Sequence, residues 1–316
     1  MPKLISVVGA TGVQGSSVIK ALLSNSNYVL RAICRDPSSE KAKALSAKGI
    51  EVVKADLNDF DSLVRAFKGS SAIYGTTGFF EDFAKHGPTK AVELEVAQGT
   101  NMAKAAAATE TLEHFIWSTL PDSRKISNGK FMIPHFDGKA QVDRYIKSCP
   151  ALLEKTTFLW VGFYASNLTF PMFTPCYVPT AGKYIQIQDS PADTPIKTIG
   201  DASVNVGIFV RAILAQPEQT LKGRYVLAEY TEMTADEFLQ AWAIAQGTKA
   251  QYVQTDEKTF FSIWPGWAEE ISSMMQFWAW ARERSWSSEE YITKADLGIR
   301  TEDLVSPQQV FASLKF

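Results

Sequence analysis

The stretch Lys3-Leu-Ile-Ser-Val-Val-Gly-Ala-Thr-Gly-Val-Gln-Gly15 decides the fold. Leu4, Ile5, Val7 and Val8 form an apolar run long enough for a buried strand and too short for a helix. Gly9, Gly12 and Gly15 follow at G-x-x-G-x-x-G spacing, and Ser16-Ser-Val-Ile-Lys-Ala-Leu-Leu23 reads as a helix. A strand, a glycine turn and a helix in that order make a phosphate cradle. Glycines let the backbone turn tightly against a pyrophosphate, and the helix start offers free N–H groups and a positive dipole end. Gly9, Thr11, Gly12, Val13, Gln14 and Gly15 are therefore candidates for holding a dinucleotide. The plain alternative is an ordinary glycine-rich turn between strand and helix.

The 316 residues exceed one ordinary domain and suffice for a large core. With 46% hydrophobic and 21% charged residues the composition is globular rather than disordered. The net charge of −2, from 32 basic and 34 acidic residues, argues against a surface built wholly for nucleic acid. The wide spacing of the three cysteines, Cys34, Cys149 and Cys176, offers no metal signature, and their odd count suits a reducing compartment. No leader-like or membrane-spanning run is visible, so the expectation is a cytoplasmic protein without metal.

Further along, Tyr28–Cys34 reads as a second strand, residues 38–48 as a helix and residues 50–54 as a third strand. The end of the second strand faces the adenosine ribose in such folds, and an arginine there pairs with a 2′-phosphate. Arg35 stands at that end, which favours NADP(H) over NAD(H). Asp36, next to Pro37, fits capping of the following helix. Asp56, with its neighbour Leu57, ends the third strand. Its carboxylate fits a bond to the adenine amino group and equally fits capping of the next helix, which residues 59–68 form. Ser71–Tyr74 is a fourth strand, opening into Gly75-Thr76-Thr77-Gly78-Phe79-Phe80. Thr76, Thr77 and Gly78 are small enough for close approach to a cofactor. Phe79 and Phe80 fit a wall for nicotinamide or substrate, or plain core. A helix over 88–109 and a fifth strand over 113–117 place Ser118 at another carboxyl end. Strands alternating with helices predict an α/β, Rossmann-type doubly wound parallel sheet with its ligands at those ends.

With these segments in order, the sequence resembles the NmrA-like family, an atypical, isoflavone-reductase-related branch of the short-chain dehydrogenase/reductases. The resemblance rests on Gly9-Ala-Thr-Gly-Val-Gln-Gly15, Cys34-Arg-Asp-Pro37, Lys54-Ala-Asp-Leu57, Gln98-Gly99, His114-Phe-Ile-Trp-Ser118 and Pro134-His-Phe-Asp-Gly-Lys139. It is close over the first half and a matter of layout over the second. It implies NADP(H) binding with Arg35 near the 2′-phosphate. It also implies one of two functions, a reductase or a nucleotide sensor that regulates transcription through a protein partner. Sensor-like relatives often carry a lysine after Gln98-Gly99 that helps hold the cofactor. Thr100 stands there, so that contact and the role of Gln98 are open.

The usual short-chain pattern sets a serine at the fifth strand's end and Tyr-x-x-x-Lys on the next helix. Ser118 suits the first, and His135-Phe-Asp-Gly-Lys139 keeps the lysine and replaces the tyrosine by histidine. Lys139 fits an acid/base made acidic by burial and a nearby positive charge, a group that only orients the nicotinamide ribose, or a surface lysine. His135 has a side chain suited to proton transfer, and a purely structural histidine fits as well. His86 is placed in the loop after the fourth strand, bordering the substrate.

The second half opens with a sixth strand over 158–161 and the turn Gly162–Asn167. Phe163, beside the cofactor, and Tyr164 and Asn167 are pocket candidates, Tyr164 with a phenol able to replace the missing donor. Tyr184–Gln188 alternates like an exposed strand, Asp201 caps a helix, and Thr234 opens another through Thr-x-x-Glu237. Trp242, Trp264, Trp267, Trp278, Trp280 and Trp286, with Met274 among them, read as the core of a smaller, mostly helical α/β subdomain. Trp267, Met274 and Trp278 also suit a substrate lid. The expected division is residues 1–162 for NADP(H) and 163–316 for substrate, packed on and partly interleaved with the first. The expected activity is NADP(H)-dependent reduction of a small or medium apolar, aromatic or polyketide-like molecule in secondary metabolism. The alternatives are an NADP(H)-sensing regulator with a protein partner and access to the nucleus, and a non-redox enzyme on the same scaffold. Neither direct nucleic-acid binding nor membrane attachment is expected.

Overall fold

The strands appear in the order the alternation of apolar runs dictates: β1 (Lys3–Val8), β2 (Tyr28–Cys34), β3 (Glu51–Lys54), β4 (Ala72–Gly75), β5 (His114–Thr119) and β6 (Thr156–Val161). The computed structural model describes residues 2–314. Beyond β6, the short strands β7 (Phe163–Tyr164), β8 (Cys176–Val178), β9 (Lys183–Gln188) and β10 (Pro195–Gly200) leave the main sheet. The chain rejoins it at β11 (Arg224–Ala228), leaves again for β12 (Thr231–Thr234) and β13 (Ala250–Gln254), and returns at β14 (Tyr291–Ile292). The central sheet is β14-β11-β6-β5-β4-β1-β2-β3, parallel throughout. It therefore draws two strands from beyond residue 162. This is the Rossmann-type doubly wound sheet expected from sequence.

β4, β5 and β6 are buried along their whole length, as a parallel sheet covered on both faces requires. Successive residues feed two cores. Phe115 and Trp117 pack under helices Pro88–Ala107 and Pro134–Lys147, while Ile116 packs on the opposite face with Val18 and Phe209. Because the strand order reverses between β1 and β4, a crevice opens at their carboxyl ends. The glycine turn enters that crevice. Gly9 holds φ at +65°, a left-handed conformation that disfavours any side chain. A Cβ on Gly15 would lie 2.2 Å from the Gly9 carbonyl oxygen.

Several local expectations change. Residues 79–86 are a helix, Phe79–His86, rather than a loop. It buries Phe79 and Phe83, carries Glu81 and Asp82 in its first turn and Lys85 and His86 in its last, the charge order a helix dipole favours. The second helix is Glu40–Ser46, and Ser39 caps it. Asp36 accepts instead from the Ser38 hydroxyl and N–H, and those bonds hold its carboxyl below the usual range. β9 is not an exposed strand. Gln186 and Gln188 point inward and donate to the carbonyls of Phe173 and Met172 at 2.5 and 2.6 Å. Polar alternation misleads where a buried amide satisfies the backbone of a neighbouring segment. The Asp201 cap and the Thr234–Glu237 capping box are both present. Among the described residues, no helix is long and apolar enough to cross a membrane.

Candidate functional site

The helix Val13–Leu22 begins without a side-chain cap and without an acid in its first turn. Gly12, its N-cap, and Val13 are exposed, so the first N–H groups open directly onto the crevice. That is the arrangement an anion needs. The third member of this turn, Gln14, ties the loop to the sheet. Its amide oxygen accepts from Ser118 Oγ at 2.8 Å and from the Tyr74 hydroxyl, and its amide nitrogen donates to the Tyr164 hydroxyl at 2.6 Å. Burial lifts the Tyr164 phenol to about 12, with the Gln14 bond pulling the other way. Burial lifts Tyr74 as well. Sequence placed Gln14 and Ser118 beside the cofactor; the structure shows them braced against each other.

Lys139 lies on helix Pro134–Lys147, only 9% exposed. Its ammonium donates to Thr77 Oγ1 at 2.7 Å and to Glu95 Oε1 at 2.9 Å, and Thr77 donates to the same carboxylate at 2.7 Å. The charge beside Lys139 is thus a carboxylate and not the cation its acid/base reading called for, and the surface-lysine reading falls as well. Glu95 itself is 1% exposed. Helix Pro88–Ala107 brings it there because Gly138 has no side chain: a Cβ would sit 2.5 Å from Glu95 Oε2. Glu95 escaped the sequence reading, although it shares a face with Ala91, Gln98 and Met102, all buried. A lone acid on an apolar helical stripe was the signal.

His135 occupies the first turn of the same helix, one turn before Lys139. Ile133, the N-cap, has no side-chain oxygen to offer. Glu270, from helix Ala268–Ala281, takes over that task, accepting from the His135 backbone N–H at 3.2 Å and bonding Nδ1 of its ring. Both side chains are buried, and Phe79, Phe80 and Phe136 surround the imidazole at ring distances of 5.9, 5.2 and 4.8 Å. Glu270 also went unnoticed in sequence, although Met274, Phe277 and Trp278 continue its buried face.

These groups meet at a cavity of about 430 Å³ at the carboxyl ends of β1, β4, β5 and β6. Its lining joins Val13, Gln14, Thr76, Thr77, Gly78, Ser118, His135, Lys139, Phe163 and Tyr164. Phe79, Phe80, Asn167, Met274 and Trp278, the candidates for the substrate side, line it too. Phe136, Phe170, Phe173 and Trp286 join them without having been singled out. Trp267 stands behind this wall and packs on Phe80, Phe83 and Phe170 at 6.3, 4.8 and 5.6 Å. It supports the cavity rather than lining it. His86 is exposed on the last turn of its helix, outside the lining, because the helix turns it away from the crevice.

The crevice is more open toward the ends of β2 and β3. Arg35 is exposed and pairs with Glu81 at 2.8 Å across the crevice. Asp56 is exposed, and its carboxylate accepts from the Asn58 N–H and side-chain amide at 2.9 and 3.0 Å, with Leu57 half-buried beside it. Asp59, not Asp56, caps the next helix. Gln98 donates to Asp82 at 3.2 Å. A second, larger hollow of about 660 Å³ lies at the opposite ends of the strands, beside Lys3, Glu113 and His114. Lys3 and Glu113 satisfy each other there, and burial drives His114 down to about 4, so it stays neutral. Ligands of doubly wound sheets bind at the carboxyl ends, and the convergent polar groups are there too.

Beneath Lys139, the Trp117 ring lies 5.7 Å from its ammonium and donates its N–H to Asp143 at 2.9 Å. Asp143 also accepts from Thr119 and Tyr225 at 2.7 and 3.0 Å, yet complete burial raises its carboxyl to about 7. Between its unfolded value near 4 and that folded value, the native state holds the extra proton. Stability from this group is therefore full in acid and is lost as pH rises toward 7. Relative to wild type, Asp143→Asn should gain stability by up to about 1.4 kcal/mol per pH unit across that window, and stay level above it. Denaturant melts at several pH values measure the difference; a flat difference from pH 4 to 7 contradicts it.

The sheet, the uncapped glycine-lined helix start and the cavity facing it define a Rossmann-type α/β protein. The chain belongs to the NmrA-like family, whose model matches residues 1–295. Among its relatives is the NmrA-like family domain-containing oxidoreductase notA of Aspergillus sp. (strain MF297-2), 31% identical over 279 residues, 82% of this chain and 78% of that one. Of solved structures, that of NmrA, a negative transcriptional regulator, superposes with a TM-score of 0.79 at 21% identity, covering 99% of this chain and 96% of that chain. Triphenylmethane reductase of Citrobacter sp., complexed with NADP(H), gives 0.68 at 19% identity, over 97% of this chain and 98% of that chain. At these identities the structural likeness is one of fold.

Proposed function

We propose that the protein is an NADP(H)-dependent reductase of a small or medium apolar substrate, aromatic or polyketide-like, serving secondary metabolism in the cytoplasm. The observation that carries this reading is the aromatic-walled cavity into which the uncapped helix start, Lys139, His135 and Tyr164 all open. The oxidoreductase name of notA and the NADP(H) held by triphenylmethane reductase support it. The residues fit the cofactor. The free N–H groups of the uncapped helix start at Val13 would meet the pyrophosphate, the Gly12 N–H being held by the Gly9 carbonyl at 2.8 Å, and any side chain at Gly15 would collide with the turn. When bound, the reduced nicotinamide supplies a hydride. Lys139, held by Thr77 and Glu95, hydrogen-bonds the ribose, while Phe79, Phe80, Asn167, Met274 and Trp278 exclude water and grip an apolar ring.

Arg35 reaches a 2′-phosphate by exchanging Glu81 for it. Arg35→Ala should weaken NADP(H) binding at least about tenfold and leave NAD(H) nearly unchanged, since charge-assisted bonds to phosphate are the strong ones. Tryptophan fluorescence titrations with both cofactors read this; equal losses would remove Arg35 from the 2′-phosphate. A regulator that binds NADP(H) without turnover is the second reading, favoured by the absent tyrosine and by the neutralisation of Lys139 by Glu95. Incubation with NADPH and a panel of aromatic and polyketide ketones, with products identified, separates the two. NADPH-dependent product supports the reductase. Tight cofactor binding with no product across the panel supports the regulator, and product without NADPH consumption points to non-redox chemistry.

A further inference from the structure

We propose that His135 is the proton donor of this site and that Glu270, reaching in from the tryptophan-rich helices, is the residue that positions it; this rests on the reductase reading. Four observations carry the assignment. His135 stands four residues before Lys139 on one helix, so both side chains project from one face toward the cavity. Glu270 takes both the His135 backbone N–H and ring Nδ1 on one oxygen, which fixes the rotamer and the protonated state of Nδ1. Nε2, with no hydrogen-bond partner among the described residues, is left for the cavity. The buried carboxylate has no other partner among them: its second oxygen is unbonded. A buried acid spent only on capping a helix is a costly device, whereas one that holds an imidazolium has a chemical return.

The rival donor is placed less well. Tyr164 is committed to the Gln14 brace, and its burial moves the phenol far from neutral pH. The step balances as follows. The substrate carbonyl carbon, or the far carbon of a conjugated enone, accepts the hydride and its electron pair from NADPH, the π pair moves to oxygen, and that oxygen takes the proton from Nε2. The substrate is reduced by two electrons, the cofactor is oxidised by two, and His135 is left neutral with Nδ1–H still on Glu270. The substrate class follows: a neutral aryl ketone or enone whose oxygen lies within reach of Nε2 beside Phe79 and Phe80.

The test uses the full-length protein, NADPH and the ketone panel, with His135→Ala and Glu270→Gln. In both variants the kcat should fall about a hundredfold with NADPH affinity unchanged. Added imidazole should restore part of the His135→Ala rate and none of the Glu270→Gln rate. Wild type should show a far-downfield proton resonance from the Nδ1–Glu270 bond, absent in both variants, while the Glu270→Gln substrate KM stays near wild type. Wild-type turnover in His135→Ala, or loss in Glu270→Gln only in proportion to lost folded protein, overturns the assignment and leaves the reductase reading standing. No turnover by the wild-type protein, with NADPH bound, overturns the reductase reading and takes this assignment with it.

Discussion

Replacing Lys139 by methionine is expected to destabilise the protein by about 3–5 kcal/mol and to lower turnover at least about tenfold. The first effect follows from what the lysine leaves behind. Glu95 is 1% exposed, and its only ionic partner among the described residues is Lys139. Removing one member of a buried pair strands the other charge, which costs far more than the pair itself contributes. Structure and chemistry can be separated in one further step. Adding Glu95→Gln should return the stability of the double variant to within about 1 kcal/mol of wild type, since no buried charge remains. Turnover should stay low. Chemical denaturation and steady-state rates on the three variants measure both. A single variant as stable as wild type contradicts the ion pair's structural role, and a double variant that recovers its rate contradicts the chemical one.

Gly15→Ala is expected to cost about 3 kcal/mol and to weaken NADPH binding by more than about tenfold. Its new methyl would meet backbone: the Gly9 carbonyl oxygen at 2.2 Å, its carbon at 2.6 Å and the Ala10 Cα at 2.9 Å. No rotamer relieves such a contact, so the turn must open and carry the helix start with it. Gly49→Ala is the matched control. Gly49 holds φ at +79°, but nothing lies within 4 Å of its Cβ position. That variant should lose about 1 kcal/mol from backbone strain and bind NADPH normally. Equal behaviour of the two variants would mean that space at the turn does not shape the cradle.

How much of this was legible in the chain depends on how local the physics is. The strand, glycine turn and helix of residues 3–23 are set by short-range sterics, and the spacing of apolar runs gave the doubly wound sheet with its carboxyl-end residues. Thr77, Ser118 and Tyr164 were singled out because they stand at strand ends that converge by topology, Gln14 because it lies in the glycine turn, and Lys139 through the pattern the family resemblance implies; all five line the cavity. The partners of those residues were not found. Glu95 and Glu270 come from helices distant in sequence, and only packing aims them at Lys139 and His135. Each nevertheless left a mark, an acid on an otherwise apolar helical face. His86 was misplaced because the segment 79–86 was taken for a loop, although its acidic start, basic end and flanking Gly78 and Gly87 are helix punctuation. Among the tryptophans, composition announced a core but not which rings line the cavity; Trp278 and Trp286 do, and Trp267 stands behind.

Whether a hydride leaves the cofactor is the central question for this site. It is answered by incubating the protein with NADPH carrying deuterium at the transferable C4 position and the ketone panel, and locating the label by mass spectrometry and NMR. The expected result is a reduced product with one deuterium on the former carbonyl or enone carbon, with NADP⁺ formed in equal amount. NADPH that binds saturably and keeps its label, with every ketone unchanged, would contradict it.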